Sequence, residues 1–200
     1  MNDTQNLVFW SFPTRVVVGE GAAAQCANEA QRLGAKRVLL VSDHGVEKAA
    51  LLDSIRGALD AAGLPHESTL EISSNPLESE VLGAARVYER FKADLVLGVG
   101  GGSVLDVAKL VRLAVTHPGP LAEYDDAIGG SAKIKGPLPP MVAIPTTAGT
   151  GSEVGRSGVV TIQATNRKTV IFSPALLPDV AILDPVMTRT MPPLMTAATG

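Results

Sequence analysis

Three stretches of this sequence bring together residue types suited to an anionic, hydroxyl-bearing ligand. In residues 95–109, LVLGVGGGSVLDVAK, an apolar run enters the glycines Gly98, Gly100, Gly101 and Gly102, and Ser103 then opens a segment with helical spacing. Glycines let a backbone approach a bulky anion, while the free N–H groups and positive dipole end of the next helix favour negative charge. The Ser103 hydroxyl offers one more donor. Residues 145–153, PTTAGTGSE, form a second run dense in hydroxyls and glycines, either another cradle for phosphate or ribose oxygens or a loop that needs flexible turns. Asp43 follows the apolar run RVLLVS at residues 37–42. A carboxylate there can accept from ribose hydroxyls and repel a 2′-phosphate, or it can cap the next helix, and both roles are compatible. The chemistry these residues suit is pyrophosphate binding, although the Walker lysine is absent and the acid precedes the glycines instead of following them by about 20 residues. From spacing alone this is an anion site at a helix N-terminus.

Other chemistries find less support. His44, His66 and His117 each lack a His or Cys partner at metal-ligand spacing, and GGGSV lacks the glycine that follows a nucleophile-elbow serine. Neither a catalytic residue nor a metal ligand is therefore assigned. The net charge of −3 and the absence of long basic runs argue against nucleic acid or an anionic membrane as partner. The single cysteine, Cys26, suits a small buried side chain in a reducing compartment. No transmembrane-length apolar run or secretory signal is visible, so a cytoplasmic protein is expected.

The elements that must position these residues alternate. Residues 9–18 suit strands near a sheet edge, and 22–33 suit a helix closed at Gly34. Residues 37–42 suit a buried strand, 46–62 one helix closed at Gly63, 65–72 a weak strand, 77–91 a helix and 93–99 a buried strand. Residues 121–140 read as a surface loop, and 141–144 as a strand. Residues 159–162 and 168–172 read as a hairpin, and 180–183 as a last strand. Beyond it, Met187, Met191 and Met195 stand four apart, the spacing of a core stripe, with Pro192 and Pro193 starting a helix. The fold class is α/β, a parallel doubly wound (Rossmann-like) sheet with flanking helices. A helix beginning at the end of the chain suggests the start of an all-helical second domain.

Four motifs in order, GGGSVLDVAK (100–109), IPTTAGTGSEV (144–154), LLPDVAILDP (176–185) and MPPLMTAATG (191–200), resemble the iron-containing, or group III, alcohol dehydrogenases. The resemblance runs over nearly the whole chain. It implies a dinucleotide-binding domain over residues 1–185 and, over 186–200, the beginning of a helical metal-binding domain that is otherwise absent. By the same resemblance Asp43 recognises the adenosine ribose, Asn75 lies near the cofactor, and Gly101, Gly102 and Ser103 form the pyrophosphate loop. Thr146, Thr147, Thr150 and Ser152 form a second loop along the phosphates and the nicotinamide side. Lys168 lies near the nicotinamide ribose, Met187 approaches the cofactor, and Asp106 and Lys109 serve helix packing or loop bracing.

Gly155 stands where many members have Thr. The family's metal ligands, an Asp and three His, follow the stretch that ends here. The resemblance thus implies NAD rather than NADP and a divalent metal, Fe2+ or Zn2+, held by residues this chain does not contain. It also implies a small alcohol, diol or aldehyde as substrate and a homodimer, and the chain alone is expected to bind cofactor weakly and turn over nothing. Two other readings stay open: a lyase like the dehydroquinate synthases, which share the architecture, and a non-catalytic nucleotide-binding module. The TTAGTGSE run favours the alcohol dehydrogenases over that lyase and over glycerol dehydrogenases.

Overall fold

The computed structural model describes residues 13–199. Strand β1 (Arg15–Val18) leads through a 3-10 turn (Ala22–Gln25) into α1 (Cys26–Arg32), and β2 (Val38–Val41) follows. Next come α2 (His44–Lys48), α3 (Leu52–Ala61), β3 (His66–Thr69), α4 (Glu78–Phe91), β4 (Leu95–Gly100) and α5 (Gly102–Ala114). The chain continues through β5 (Met141–Pro145), the pair β6 (Ser157–Ile162) and β7 (Arg167–Phe172), β8 (Val180–Leu183) and α6 (Pro193–Thr199).

Six strands form one parallel sheet in the order β1-β8-β5-β4-β2-β3, and β6 and β7 pair antiparallel beside it. Because successive side chains of a strand point to opposite faces, each central strand feeds two cores. Leu39, Val41 and Val96 join α4, α5 and the hairpin on one face. Val38, Leu40, Leu95 and Leu97 join α1, α2 and α3 on the other. The doubly wound α/β class expected from the sequence is the observed one. The chain steps from β2 outward to β3, then returns across β2 to β4, so the winding reverses between β2 and β4. Open α/β sheets bind ligands at that reversal, beyond the carboxyl ends of the strands. Asp43 stands two residues beyond β2 and Gly101 directly after β4, so both lie at its mouth.

Several local expectations need correction. The single helix over 46–62 is two, because Ala50 takes a left-handed φ of 58° between α2 and α3. An unbroken helix would turn about 900° from Val46 to Ile55 and point them in opposite directions. The break lets Val46 join Leu52 and Ile55 in one core. The stretch 121–140 is not a bare surface loop: Leu121, Tyr124, Ile134 and Leu138 are buried, three short 3-10 turns carry it, and Asp125 anchors it to β7 through Arg167. Its Gly and Pro content hid four apolar anchors that have no regular period. The methionines do not form one stripe, since the helix begins only at Pro193. Met187 is buried in a separate 3-10 turn (Pro185–Thr188), whereas Met195 is 48% exposed and the neighbouring Leu194 84%. Residues 9–12 of the expected edge strand lie outside the described residues, and β1 is the sheet edge.

Candidate cofactor site

The glycines after β4 act by letting other groups come close. A Cβ on Gly98 would lie 3.0 Å from Ala108 Cβ and 3.1 Å from Leu105 Cδ2, so its absence lets α5 settle directly on the sheet. A Cβ on Gly102 would lie 2.7 Å from Thr150 Cγ2. The second loop is therefore seated against the first turn of α5. Gly101, the N-cap of α5, supplies no side-chain cap, so the first-turn N–H groups have no partner inside the helix or from its cap. A cleft of about 350 Å³ opens there, lined by Ser74, Gly102, Ser103, Asp106, Lys109 and Lys168 among others.

The floor of this cleft is a closed polar cluster. Lys109 Nζ donates to Ser152 Oγ at 2.7 Å and to the Ser157 carbonyl at 2.9 Å. The Ser152 hydroxyl donates to Asp106 Oδ1 at 2.6 Å, and Asp106 Oδ2 accepts from the Val159 N–H at 3.1 Å. Lys109 and Asp106 are themselves 3.7 Å apart, one helical turn along α5. Lys109 is completely buried. Burial pushes its ammonium down to about 8, opposed by the charges of Asp106 and Glu153. The same loss of water raises the Asp106 carboxyl.

The predicted residues divide into several groups. Gly102, Ser103, Thr150, Ser152 and Lys168 all line the cleft. Thr147 packs beside Gly101, and the Thr146 N–H donates to the Gly100 carbonyl at 3.1 Å, so the two loops are joined. Lys168 Nζ reaches Asn75 Oδ1 at 3.5 Å, bringing β7 to the Asn-Pro turn. Asp43 caps α2 by accepting from Val46 N at 2.9 Å through Oδ1, while no group of the described residues bonds Oδ2. Three placements differ from a direct ligand role. The Ser103 hydroxyl donates to the Ser74 carbonyl at 2.8 Å, so its proton serves the turn and not an anion. Ser152 is buried, its hydroxyl occupied on both sides. Met187 is buried in the α1–α3 core and does not line the cleft.

Sequence reading assigned Asp106 and Lys109 only to packing or bracing, and missed that they line the cleft. The usable signal was three charges, Asp106, Lys109 and Arg112, within an otherwise mostly apolar helix, where they must be buried and paired. No group of three metal-ligating side chains gathers among the described residues, and no helix there is long and apolar enough to cross a membrane.

Comparison with known proteins gives this geometry a family. The model for iron-containing alcohol dehydrogenase matches residues 13–185. The chain belongs to that family. It is 42% identical over 190 residues to long-chain-alcohol dehydrogenase 1 of Geobacillus thermodenitrificans, covering 94% of this chain and 47% of that protein. The structure of a 1,3-propanediol oxidoreductase superposes with a TM-score of 0.91 at 36% identity, covering 97% of this chain and 50% of the other. An NADH-dependent butanol dehydrogenase from Thermotoga maritima gives 0.88 at 30% identity, with 97% and 48% covered. The chain thus spans about half the length of the relatives it matches.

Proposed function

We propose that this chain is the NAD-binding portion of an alcohol dehydrogenase acting on a small alcohol, diol or aldehyde. The observation that carries the reading is the glycine turn at Gly101–Ser103: it presents an uncapped helix start at the reversal point of the sheet, with Asp43 on the neighbouring strand end. The residues present fit a dinucleotide. Missing Cβ atoms at Gly100 and Gly102 let Val104 and Thr150 close in and shape the turn, and the first-turn N–H groups of α5 would hold the pyrophosphate. Asp43, through Oδ2, would accept from the adenosine ribose and disfavour a 2′-phosphate, which selects NAD over NADP. Thr147, Thr150 and Lys168 would bound the nicotinamide side.

A bound nicotinamide would supply hydride chemistry at the substrate carbon, and a divalent metal would supply Lewis-acid polarisation of the substrate oxygen. This chain's residues do the binding and orienting, and no side chain among them replaces the metal. We assign the metal ligands, Fe2+ or Zn2+ being the candidates, to the half of the family's length that this chain does not span. Residues 1–185 form the cofactor domain in this reading, 186–200 the beginning of a helical domain, and the working enzyme is a dimer. Titration of the purified chain with NADH and NADPH, followed by cofactor fluorescence, tests it. Saturable NADH binding that exceeds NADPH binding is expected. A folded chain that binds neither would refute the reading.

A further inference from the structure

The 147–155 loop has almost no regular structure of its own, yet three independent contacts fix it. On one side Thr150 fills the space left by the missing side chain of Gly102. On another, Gly149 touches α6 so closely that a Cβ would fall 2.1 Å from the Thr199 carbonyl oxygen. Beneath, Ser152 is gripped by Lys109 and Asp106, and its own N–H donates to Thr150 Oγ1 at 3.3 Å. The Ser152 hydroxyl has one proton and gives it to Asp106, so it has none to offer a ligand.

A buried ion pair is a poor source of stability, because an apolar cluster of the same volume usually does as well. Here the charges instead select one position of a mobile-type sequence at the edge of the cleft.

We propose that Ser152, clamped between Lys109 and Asp106, is a positioning residue that holds the 147–155 loop in register for the pyrophosphate-to-nicotinamide half of the cofactor. The inference rests on the NAD-binding reading above and deepens it. The adenosine half is served by Asp43 on a different element, so the clamp acts on one end of the ligand only.

The test compares NADH with AMP, which lacks the nicotinamide half, on the 200-residue chain and its Ser152→Ala variant. In Ser152→Ala the Kd for NADH rises about tenfold and that for AMP changes by less than about twofold. Amide exchange over residues 147–155 rises about tenfold while exchange in β4 stays unchanged. A loss of fold would weaken both ligands and accelerate exchange everywhere. Equal affinities of variant and wild type for NADH, or parallel weakening of both ligands, overturn the proposal. A wild-type chain that binds AMP but not NADH refutes the cofactor reading instead. The exchange measurement then still decides the clamp: faster loop exchange supports it and unchanged exchange overturns it.

Discussion

Helix α5 carries two buried cations one turn apart, and they do different work. Lys109 turns to the cleft and holds a serine hydroxyl, one carbonyl and a carboxylate around an opening that a ligand can fill. Arg112 turns to the opposite rim of the sheet. There its guanidinium donates to the carbonyls of Pro139, Leu176 and Leu177, the chain leading into β5 and β8, and pairs with Asp179 at 3.6 Å. Asp179 also accepts from the Met141 N–H at 2.8 Å, so this second cluster joins the starts of two strands. A planar fork with five donors suits several fixed carbonyls, whereas a compact ammonium suits a hydroxyl and a carboxylate in a small space. One cation therefore builds the scaffold and the other builds the site.

The largest effect expected from breaking this contrast is on the scaffold side. Arg112→Met leaves one buried and two half-buried carbonyls without this donor, and should cost about 3–5 kcal/mol in urea unfolding. The fraction still folded should bind NADH as wild type does. A loss below about 1 kcal/mol would mean that Arg112 is not a structural strut.

Lys109→Met should cost less, about 2–3 kcal/mol, because Asp106 keeps Ser152 and the Val159 N–H as partners. Unlike Arg112→Met, it should also weaken NADH binding. Its pH dependence sharpens the point. Lys109 is lowered from its ordinary 10.5 to about 8, so between those values the unfolded chain holds more protons than the folded one. Stability contributed by this group therefore rises with pH across that window. Cys26 and Tyr88, both raised by burial, act in the opposite sense above pH 9 and 10, but they are common to both proteins. The stability of wild type minus that of Lys109→Met should thus increase from pH 8 to 10.5. A flat difference would show that Lys109 is not the strained group.

A smaller effect asks whether the site side of the contrast reaches Asp43. Asp43→Ala removes the cap on α2 and should cost about 1 kcal/mol. The ratio of NADPH to NADH affinity should rise at the same time, measured by parallel fluorescence titrations. An unchanged ratio would leave Asp43 as a cap alone. Smallest of all, Cys26 is fully buried and its thiol is pushed up to about 11. It should resist iodoacetamide at pH 8 until the chain unfolds, and rapid alkylation of native protein would show that the α1 face opens locally.

Much of this molecule was legible in its residues, for reasons that differ from place to place. The strands VLLV (38–41) and LVLGVG (95–100) carry no polar side chain, as a sheet covered on both faces requires, and the glycines after β4 mark the turn that follows. Asp43 could be read both as a cap and as a ribose ligand because both follow from a carboxylate at a strand end. The break at Ala50 was not legible, since AALL continues a helical pattern and only the shared core of Val46 and Ile55 demands the reversal. The fates of Ser103 and Ser152 were not legible either. Their residue types suited anion donors, but the carbonyl of Ser74 and the carboxylate of Asp106 claimed their protons first.

The sequence by itself determined the alternation of strands and helices, the parallel sheet and the glycine turn, because these rest on local period, backbone freedom and apolar content. Only the tertiary structure decided which hydroxyls are spent on internal partners, as those of Ser103 and Ser152 are. It likewise decided that Lys109, Asp106 and Ser152, up to 46 positions apart, close into one cluster. That choice depends on distances between elements brought together by the winding of the sheet, which no local pattern encodes.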